Sequence, residues 1–424
     1  MSKNQVLKTK LKNGMTLIVK EHHVAPVTTW WVWYRVGSRN EPTGLTGVSH
    51  WVEHMMFKGT KKFPAGILDR TISRDGGMWN AMTWIDWTAY FETMPNDKID
   101  LGLRLEADRM INSLFPAKEV ESERTVIISE REGSENEPTF QLSEQMRKTA
   151  FTVHGYHHET IGDMADLRTM TRGDLYTHYN TYYMPNNAIG VCVGDFDAKH
   201  MLKRLKELYE PLPRGLPIKP FMRPEPLQKG ERRIAIEGEG ETEYLEVVYH
   251  TPSATDPDFY PMVVLDSILA GASSFNAFGG GTSNKSSRLY KALVLTELAA
   301  GVGGGLMATI DPYVYSIMAT VRKGRALAEV ETALDTEIDR LARDSVTEAE
   351  LTKAMKQAKA MFAFSAESVT NLGFWYGFSE IISDYTFFEN YIDRLSAVTL
   401  DDVARVAKKY FAKSNRTLGQ YQPK

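Results

Sequence analysis

The chain of 424 residues is 42% hydrophobic and 25% charged, with 50 basic and 54 acidic side chains and a formal charge of -4. This composition excludes a disordered or collagen-like protein, and the length predicts two or three domains with buried cores. The balanced charge provides no cationic field that would attract nucleic acid or anionic lipid, so we expect neither as a partner. The single cysteine, Cys192, excludes an internal disulfide, and its apolar surroundings predict a buried strand residue.

The N-terminal region carries no sign of membrane targeting. No stretch of the chain approaches the roughly 20 apolar residues that cross a bilayer. The first residues, MSKNQVLKTKLKNG, lack the apolar core of a signal peptide. We therefore expect a soluble, cytoplasmic protein with no membrane partner, and a periplasmic protein if an export signal has been removed.

The N-terminal half predicts alternating short strands and helices. Residues 6–12 and 15–20 flank Asn13-Gly14, a pair typical of a tight hairpin turn. Residues 27–36 are dense in β-branched and aromatic side chains, which predicts a strand buried on both faces. Alternation over 79–93 predicts a strand or hairpin. Apolar spacing and end signals predict helices at 47–57, 66–75, 98–113, 117–133 and 174–183, followed by a strand at 188–193.

A proline-rich segment and an internal repeat divide the chain. Residues 211–230 carry several prolines with little periodicity, which is typical of a linker. The similar sequences TRGDLYTHYNTYYMPNN and TLDDVARVAKKYFAKSN begin at Thr171 and Thr399, one in each half of the chain. Each copy predicts an amphipathic helix, a polar turn and a strand. We therefore expect two related halves, residues 1–214 and 215–424.

The most informative motif is HWVEH at residues 50–54. His50 and His54 are four positions apart, so on a helix both imidazoles lie on one face about 6 Å apart, the spacing needed to bind one Zn²⁺. Glu53 lies beside the second histidine, where it would polarise a water molecule at the metal. This is the HxxEH order of the inverzincins. The alternative interpretation is a pair of histidines on an ordinary helix.

A third ligand is needed, because two histidines rarely hold zinc alone. The run ESERTVIISE at residues 121–130 offers carboxylates on another predicted helix. Glu123 and Glu130 are seven positions apart and therefore lie on the same helical face.

The combination of motifs resembles the pitrilysin-like inverzincin peptidases, which include insulin-degrading enzyme and the mitochondrial processing peptidase. HxxEH, which ends at His54, is followed downstream by ERxVIxxE, which ends at Glu130. The resemblance extends over the N-terminal half, through NGMTLIVKE, SHWVEHMMFKGT, GGMWNAMTWIDWTAY and MPNNAIGVCVGD. Within the family the chain is similar to the β-type subunit of the processing peptidase and to bacterial two-chain members.

The resemblance implies a fold, an activity and a set of site residues. The implied fold is α+β, with two homologous halves that each pack a mixed, mostly antiparallel β-sheet with helices on one side. The implied activity is zinc-dependent cleavage of extended or unfolded peptides. Zinc would be held by His50, His54 and Glu130, with Glu53 as the general base and Glu123 orienting a histidine ligand.

The same resemblance assigns the substrate to residues 78–90. Asn80 and Ala81 take the position of an edge strand, to which an extended peptide would add by main-chain hydrogen bonds. Trp79, Trp84 and Trp87 either line this site or pack internally, and packing is the commoner role of such aromatics.

One departure from the family pattern affects the C-terminal half. Active members carry an Arg and a Tyr seven positions apart in this half, which grip the substrate carbonyl and the oxyanion. Here Val294 and Gly301 stand at those positions, and neither side chain can donate a hydrogen bond. We therefore expect the C-terminal half to hold no metal and to form the partner contact and the chamber. The chain would be the metal-bearing subunit of a heterodimer with a homologous subunit that supplies Arg and Tyr, although composition alone does not exclude a homodimer.

Two other interpretations of the function remain open. One is a structural or regulatory subunit that keeps the fold without useful catalysis. The other is a zinc-binding module that presents peptides without cleaving them.

The remaining candidate motifs are weaker. The Gly-rich stretch 270–287 lacks the spacing of a nucleotide-binding loop, so we expect a mobile loop. His154, His157 and His158 form a second histidine cluster, for which we expect solvent-exposed or hydrogen-bonding roles. No motif supports a serine or cysteine nucleophile.

Overall fold

The computed structural model describes residues 5–220, 223–275, 285–343 and 346–424. The chain forms two compact units, and neither is continuous in sequence. Unit 1 comprises Met1–Glu132, His158–Arg223 and Ala366–Tyr385. Unit 2 comprises Gly133–His157, Pro224–Ser365 and Thr386–Lys424.

Each unit contains one β-sheet with packed helices, which confirms the α+β class. The strands are β1 (Leu7–Lys10), β2 (Thr16–Glu21), β3 (Val27–Tyr34), β4 (Met78–Thr83), β5 (Thr88–Pro95), β6 (Ala188–Gly194), β7 (Arg232–Gly238), β8 (Tyr244–His250), β9 (Ala299–Gly305), β10 (Val314–Val321) and β11 (Arg416–Pro423).

The α-helices carry most of the remaining described residues. They are α1 (Val48–Met56), α2 (Ile67–Arg74), α3 (Asp100–Asn112), α4 (Ala117–Glu135), α5 (Pro138–Ala150), α6 (Met164–Thr169), α7 (Arg172–Tyr182), α8 (Ala198–Tyr209), α9 (Phe259–Leu269), α10 (Leu327–Arg343), α11 (Glu348–Phe364), α12 (Val369–Ile382), α13 (Thr386–Glu389), α14 (Tyr391–Ser396) and α15 (Leu400–Tyr410). The strands and helices predicted from the N-terminal half are all confirmed, with small differences at their ends. None of the described helices has both the length and the apolar character needed to cross a membrane.

The sheet of unit 1 has the strand order β1-β2-β6-β3-β5-β4. Strands β2 and β6 run parallel, and the other neighbours are antiparallel. One face buries Trp30 and Cys192 in a core shared with α1, α3, α7 and α8. The opposite face carries Trp31 and Trp33, which pack against Phe374 of α12. Strand β3 is therefore buried on both faces, as the sequence predicted, and helices cover both faces of this sheet rather than the one side that was expected.

The sheet of unit 2 has the order β7-β11-β8-β10-β9 and repeats this topology. Strand β11 runs parallel to β7 and antiparallel to β8, as β6 does with β2 and β3. Helix α5 packs on β11, β7 and β8, and α10 packs on β8 and β10.

The predicted repeat of helix, turn and strand is confirmed in both copies. Thr171 and Thr399 each cap a helix in a capping box with the Asp three positions later. The turn that follows also repeats, because the side-chain amide of Asn187 donates to the carbonyl of Tyr182 and that of Asn415 to the carbonyl of Tyr410, at 2.9 and 2.8 Å.

Helices α5 and α12 each pack in the unit that is built mainly from the other half of the sequence. Helix α5 belongs to the first half of the sequence but packs on the sheet of unit 2, whereas α12 belongs to the second half but packs on the sheet of unit 1. Their first residues, Pro138 and Val369, are separated by nearly the same length of chain as Thr171 and Thr399 of the repeat. Each half of the sequence thus contributes the corresponding helix to the other unit.

Candidate metal centre

Helix α1 presents the HxxEH motif because its other face is apolar. Val48, Trp51, Val52 and Met55 are buried in the core of unit 1. This packing fixes the rotation of the helix, so His50 and His54 remain half-buried on the same face. Their ring centroids lie 4.6 Å apart.

The three predicted metal ligands lie together. One nitrogen each of His50 and His54 and a carboxylate oxygen of Glu130 all lie within 4.8 Å of one another. Glu130 belongs to α4 and is exposed, and its Oε2 lies 3.9 Å from Nε2 of His54. Two helices that are distant in sequence therefore supply one candidate site.

Glu123 lies where it can orient His54. Its Oε2 is 3.0 Å from Nδ1 of His54, which leaves Nε2 of the imidazole facing Glu130. The other Glu123 oxygen pairs with the ammonium of Lys58. Burial opposes ionisation of Glu123, but the hydrogen bonds from Lys58 and His54 outweigh it and hold its pKa below the usual range. A carboxylate is therefore present to accept the Nδ1 proton.

Glu53 points from α1 toward strand β4. It is buried, and its Oε2 accepts a hydrogen bond of 2.6 Å from the hydroxyl of Thr83. Burial raises the pKa of Glu53, and the Thr83 hydrogen bond acts in the opposite direction. A carboxyl group of this kind is suited to exchange a proton with a nearby reactant.

Arg124 holds α4 against α1. Its guanidinium lies 4.8 Å from the ring centroid of Trp51, and it donates to the carbonyls of Leu167 and Met170 at 2.6 and 2.8 Å. These contacts fix the position of the helix that carries Glu123 and Glu130.

The side chains fit a zinc ion. Zinc bonds histidine nitrogen and carboxylate oxygen at about 2.0 to 2.2 Å, and three such protein ligands are typical of catalytic sites. Burial, together with the neighbouring His54, lowers the pKa of His50 to about 3, so this imidazole is in the neutral form that binds metal. Nδ1 of His50 is buried and has no hydrogen-bond partner in the described part of the protein.

The predicted substrate strand lies at the edge of the sheet. Among the described strands β4 pairs with β5 alone, and the N–H of Ala81 donates to the side-chain oxygen of Asn80 at 2.9 Å. Trp79 packs on Phe57 at 4.8 Å, whereas Trp87 is buried against Trp33. Trp87 is therefore a packing residue.

Several side chains that support the site were missed in the sequence. Lys58 lies two positions beyond the end of α1, so helical spacing gave no signal for its contact with Glu123. Thr83 shares a strand face with Ala81, but nothing local connects it to Glu53. Arg124 lies inside the ERTVIISE motif without a recognisable role in the sequence.

Three other sequence candidates, Val294, Gly301 and His154, belong to unit 2, whereas the three ligands belong to unit 1. Val294 lies in a π-helical turn, Tyr290–Val294, and Gly301 in β9, where it pairs with Thr320. His154 is buried and its Nε2 lies 3.1 Å from Asp311, a hydrogen-bonding role of the predicted kind. Residues 276–284 of the Gly-rich stretch lie outside the described residues.

Comparison with known proteins identifies the family. Residues 16–164 match the model of Insulinase (Peptidase family M16), and residues 169–358 match that of the Peptidase M16 inactive domain. The chain is 30% identical over 418 residues to the zinc protease PqqE of Helicobacter pylori, covering 96% of this chain and 90% of that protein. The chain belongs to peptidase family M16.

Two further comparisons agree with this conclusion. The probable β subunit of the mitochondrial processing peptidase of Arabidopsis thaliana is 25% identical, with 95% of this chain and 75% of the relative covered. A crystal structure of a protease from Helicobacter pylori superposes with a TM-score of 0.92 at 28% identity, covering 99% of this chain and all of the other. The expected resemblance to the pitrilysin-like peptidases and the expected fold are confirmed.

Proposed function

We propose that this M16 chain is a zinc metalloendopeptidase subunit that hydrolyses peptide bonds in extended or unfolded peptides. The observation that carries the proposal is the convergence of His50, His54 and Glu130 within 4.8 Å, with the buried carboxyl group of Glu53 on the same helix as the two histidines. Relatives that are named zinc proteases support zinc as the metal.

The residues around the three ligands have separate roles in this proposal. Zinc, when bound, would polarise the scissile carbonyl and lower the pKa of an attacking water. Glu53 accepts the proton of that water as the water attacks the peptide carbonyl, and it then delivers the proton to the leaving amine. Thr83 holds the carboxyl group of Glu53 in place through its 2.6 Å hydrogen bond. Glu123 fixes the ring of His54 with Nε2 free for the metal.

The substrate would bind along β4 as an added strand. Main-chain hydrogen bonds with the edge that includes Asn80 and Ala81 give affinity with little demand on sequence. The N–H of Ala81 would exchange its bond with the Asn80 side chain for one with a substrate carbonyl. This mode requires an extended peptide, which accounts for the proposed preference for unfolded substrates.

The active assembly would be a heterodimer. Val294 and Gly301 cannot supply the hydrogen bonds that the family's Arg and Tyr give to the substrate carbonyl and the oxyanion. A homologous subunit carrying these two residues would complete the site, and residues 215–424 would form the contact with it. Relatives named as subunits of the mitochondrial processing peptidase are consistent with such a pairing.

The experiment is cleavage of a quenched fluorescent peptide by the purified chain loaded with zinc. Turnover that is lost in Glu53→Gln and on chelation would establish the peptidase, and it would show that no partner is required. Zinc binding without turnover, followed by turnover when a homologous Arg- and Tyr-bearing subunit is added, would establish the heterodimer. Zinc binding without turnover in either case would favour the structural or regulatory subunit.

A further inference from the structure

The helix that carries the metal motif has no cap of its own. Its N-cap residue is Gly47, which has no side chain to accept the first N–H groups of α1. Helices α7, α11 and α15 of the same chain are instead capped by Thr171, Thr347 and Thr399.

Glycine is required at position 47 by the local packing. Its φ is +88°, in the left-handed region, and a Cβ there would lie 2.4 Å from the carbonyl oxygen of Ile161. Serine, threonine or aspartate at residue 47 would therefore be strained and would clash. The cap has to come from elsewhere in the chain.

Glu41 supplies that cap from six positions upstream. Its two oxygens accept separate backbone N–H groups, Oε2 from Gly47 at 2.7 Å and Oε1 from Ser49 at 2.8 Å. His158 approaches Oε2 at 3.7 Å, and the side chain of Glu41 is completely buried.

The residue that Glu41 holds is adjacent to the first metal ligand. Ser49 precedes His50, and its hydroxyl lies 3.0 Å from Nε2 of His178 while its carbonyl accepts from Tyr183 at 3.3 Å. The first turn of α1 is thus fixed through Ser49 on three sides. A rotation of α1 about its axis would break these contacts and move His50 and His54 away from Glu130.

Burying a carboxyl group at this position costs hydration free energy. Burial raises the pKa of Glu41 to about 8, against the opposing effect of the hydrogen bonds from Ser49 and Gly47. The geometry has a specific effect, since the two oxygens of one glutamate side chain accept from two N–H groups of the first turn at once.

We propose that Glu41 is a positioning residue of the metal centre, whose carboxyl group sets the start and the rotation of α1 so that His50 and His54 face Glu130. The inference rests on the proposed zinc function. It predicts that Glu41 controls metal affinity although it lies outside the ligand set.

The test is the zinc dissociation constant of Glu41→Gln, measured by competition with a chromophoric chelator. Glutamine has the same shape but only one acceptor oxygen, so it cannot accept from both N–H groups. We expect zinc affinity to fall by about 10- to 100-fold, the usual effect of removing a residue that orients a ligand. The Co²⁺-loaded variant is expected to show an altered absorption spectrum, because the spectrum reports the geometry of the ligands.

A matched control separates positioning from general stability. Glu246 is a buried glutamate of unit 2 that accepts from Ser143 and Ser316 at 2.8 Å. Glu246→Gln should lower the unfolding midpoint of the metal-free protein and leave zinc affinity and the cobalt spectrum unchanged. If Glu41→Gln does not fold, Glu41→Asp, whose shorter side chain reaches one N–H group at most, takes its place in the same measurements.

The outcomes are distinct. Wild-type protein that binds no zinc would contradict the proposed function itself. Wild-type binding with equal affinity in the folded Glu41 variant would overturn the positioning role alone. Failure of both Glu41 variants to fold, while Glu246→Gln folds, would assign Glu41 to fold stability and would also overturn it.

Discussion

Three glutamates near the candidate metal differ in what they contact. Glu130 is exposed and faces His54, Glu123 pairs with Lys58 and His54, and Glu53 is buried with a hydroxyl donor. These environments fit the roles proposed above, in which Glu130 is a ligand, Glu123 orients a ligand and Glu53 accepts a proton. The carboxyl groups share one chemistry, so their surroundings determine the role of each.

Glu123→Gln is expected to weaken zinc binding by about 10- to 100-fold, because the amide holds the His54 ring less firmly and loses the pairing with Lys58. The measurement is chelator competition on the purified chain. Glu132→Gln, on the exposed side of the same helix, is the control and should bind zinc as the wild type does. Equal zinc affinity in the two variants would show that Glu123 does not contribute to zinc binding.

Thr83→Val is expected to lower kcat/KM of the active assembly by about tenfold or more. A hydrogen bond to a charged group contributes roughly 1.5 to 3 kcal/mol, and about 1.4 kcal/mol corresponds to a factor of ten. Zinc affinity should not change, because the partners of the Thr83 hydroxyl are Glu53 and Thr88 rather than a proposed metal ligand. Thr93→Val, which removes a hydroxyl from the neighbouring strand, should retain full activity. A Thr83 variant with wild-type kinetics would show that Glu53 needs no such support.

The stability of unit 2 is expected to depend on pH through Asp266. Burial raises its pKa to about 7, while hydrogen bonds from Ser273 and Tyr315 act in the opposite direction. The folded state thus holds the proton more tightly than the unfolded state, whose pKa is about 3.9. The contribution of Asp266 to the free energy of unfolding is therefore fully present below about pH 4, and it is lost as the pH rises to about 7.

Asp266→Asn should remove this dependence, since asparagine is neutral and still accepts from Tyr315. The urea midpoint of the wild type is expected to fall between pH 5 and pH 8 more steeply than that of the variant. The difference at pH 8 has an upper limit of about 4 kcal/mol. Parallel pH profiles would mean that Asp266 does not titrate in this range.

At the scale of elements, α12 is fitted to the sheet of unit 1 by its glycines. A Cβ on Gly373 would lie 2.4 Å from Trp31, and one on Gly377 would lie 2.0 Å from Nε1 of Trp33. Phe374 and Phe378 stack on the same face of the helix. The two glycines therefore allow the helix backbone to approach the tryptophan rings.

Gly377→Ala is expected to destabilise the chain by about 1 to 3 kcal/mol, because the methyl group overlaps a packed indole ring. Gly133→Ala is the control, since this glycine lies in α4 and an added methyl group would meet open space. It should be neutral or stabilise by about 0.5 to 1 kcal/mol through helix propensity. Thermal unfolding of both variants makes the comparison. Equal midpoints would show that α12 tolerates a larger separation from the sheet.

At the scale of the whole molecule, the exchanged helices make each half of the sequence incomplete. Residues 1–214 lack α12, so Trp31, Trp33 and Phe91 would be exposed on one face of the sheet. Each aromatic side chain buries roughly 150 to 250 Å² in a core, and this area drives association. Residues 215–424 lack α5 in the same way.

We therefore expect that neither half unfolds cooperatively when expressed alone, and that the two halves co-purify when expressed together. Fusing residues 366–385 to residues 1–214 should restore cooperative unfolding of unit 1, which gives a direct control. A stable, cooperative fragment of residues 1–214 without α12 would contradict this account.

Patterns among neighbouring residues in the sequence were sufficient to predict many of the helices and strands of the protein. The aromatic run 27–36, the repeat at Thr171 and Thr399 and the HxxEH spacing each depend on neighbours in sequence, and each predicted its element. The resemblance to the family motifs implied His50, His54 and Glu130 as ligands, and these three side chains lie together at the candidate metal centre. Thr83 and Arg124 gave no such signal, since their partners Glu53 and Trp51 are distant in sequence.

Short-range patterns of apolar and polar residues set the helices and strands, because backbone geometry repeats every two or 3.6 residues and the side chains follow it. They also set the metal motif, whose spacing is that of one helical turn. The exchange of α5 and α12 and the cap that Glu41 provides for α1 have no local pattern. They follow from packing between segments that are distant in sequence. The tryptophan rings of β3 are buried against α12, and the space at residue 47 admits no Cβ, so that only glycine fits there. These contacts are visible only in the folded chain.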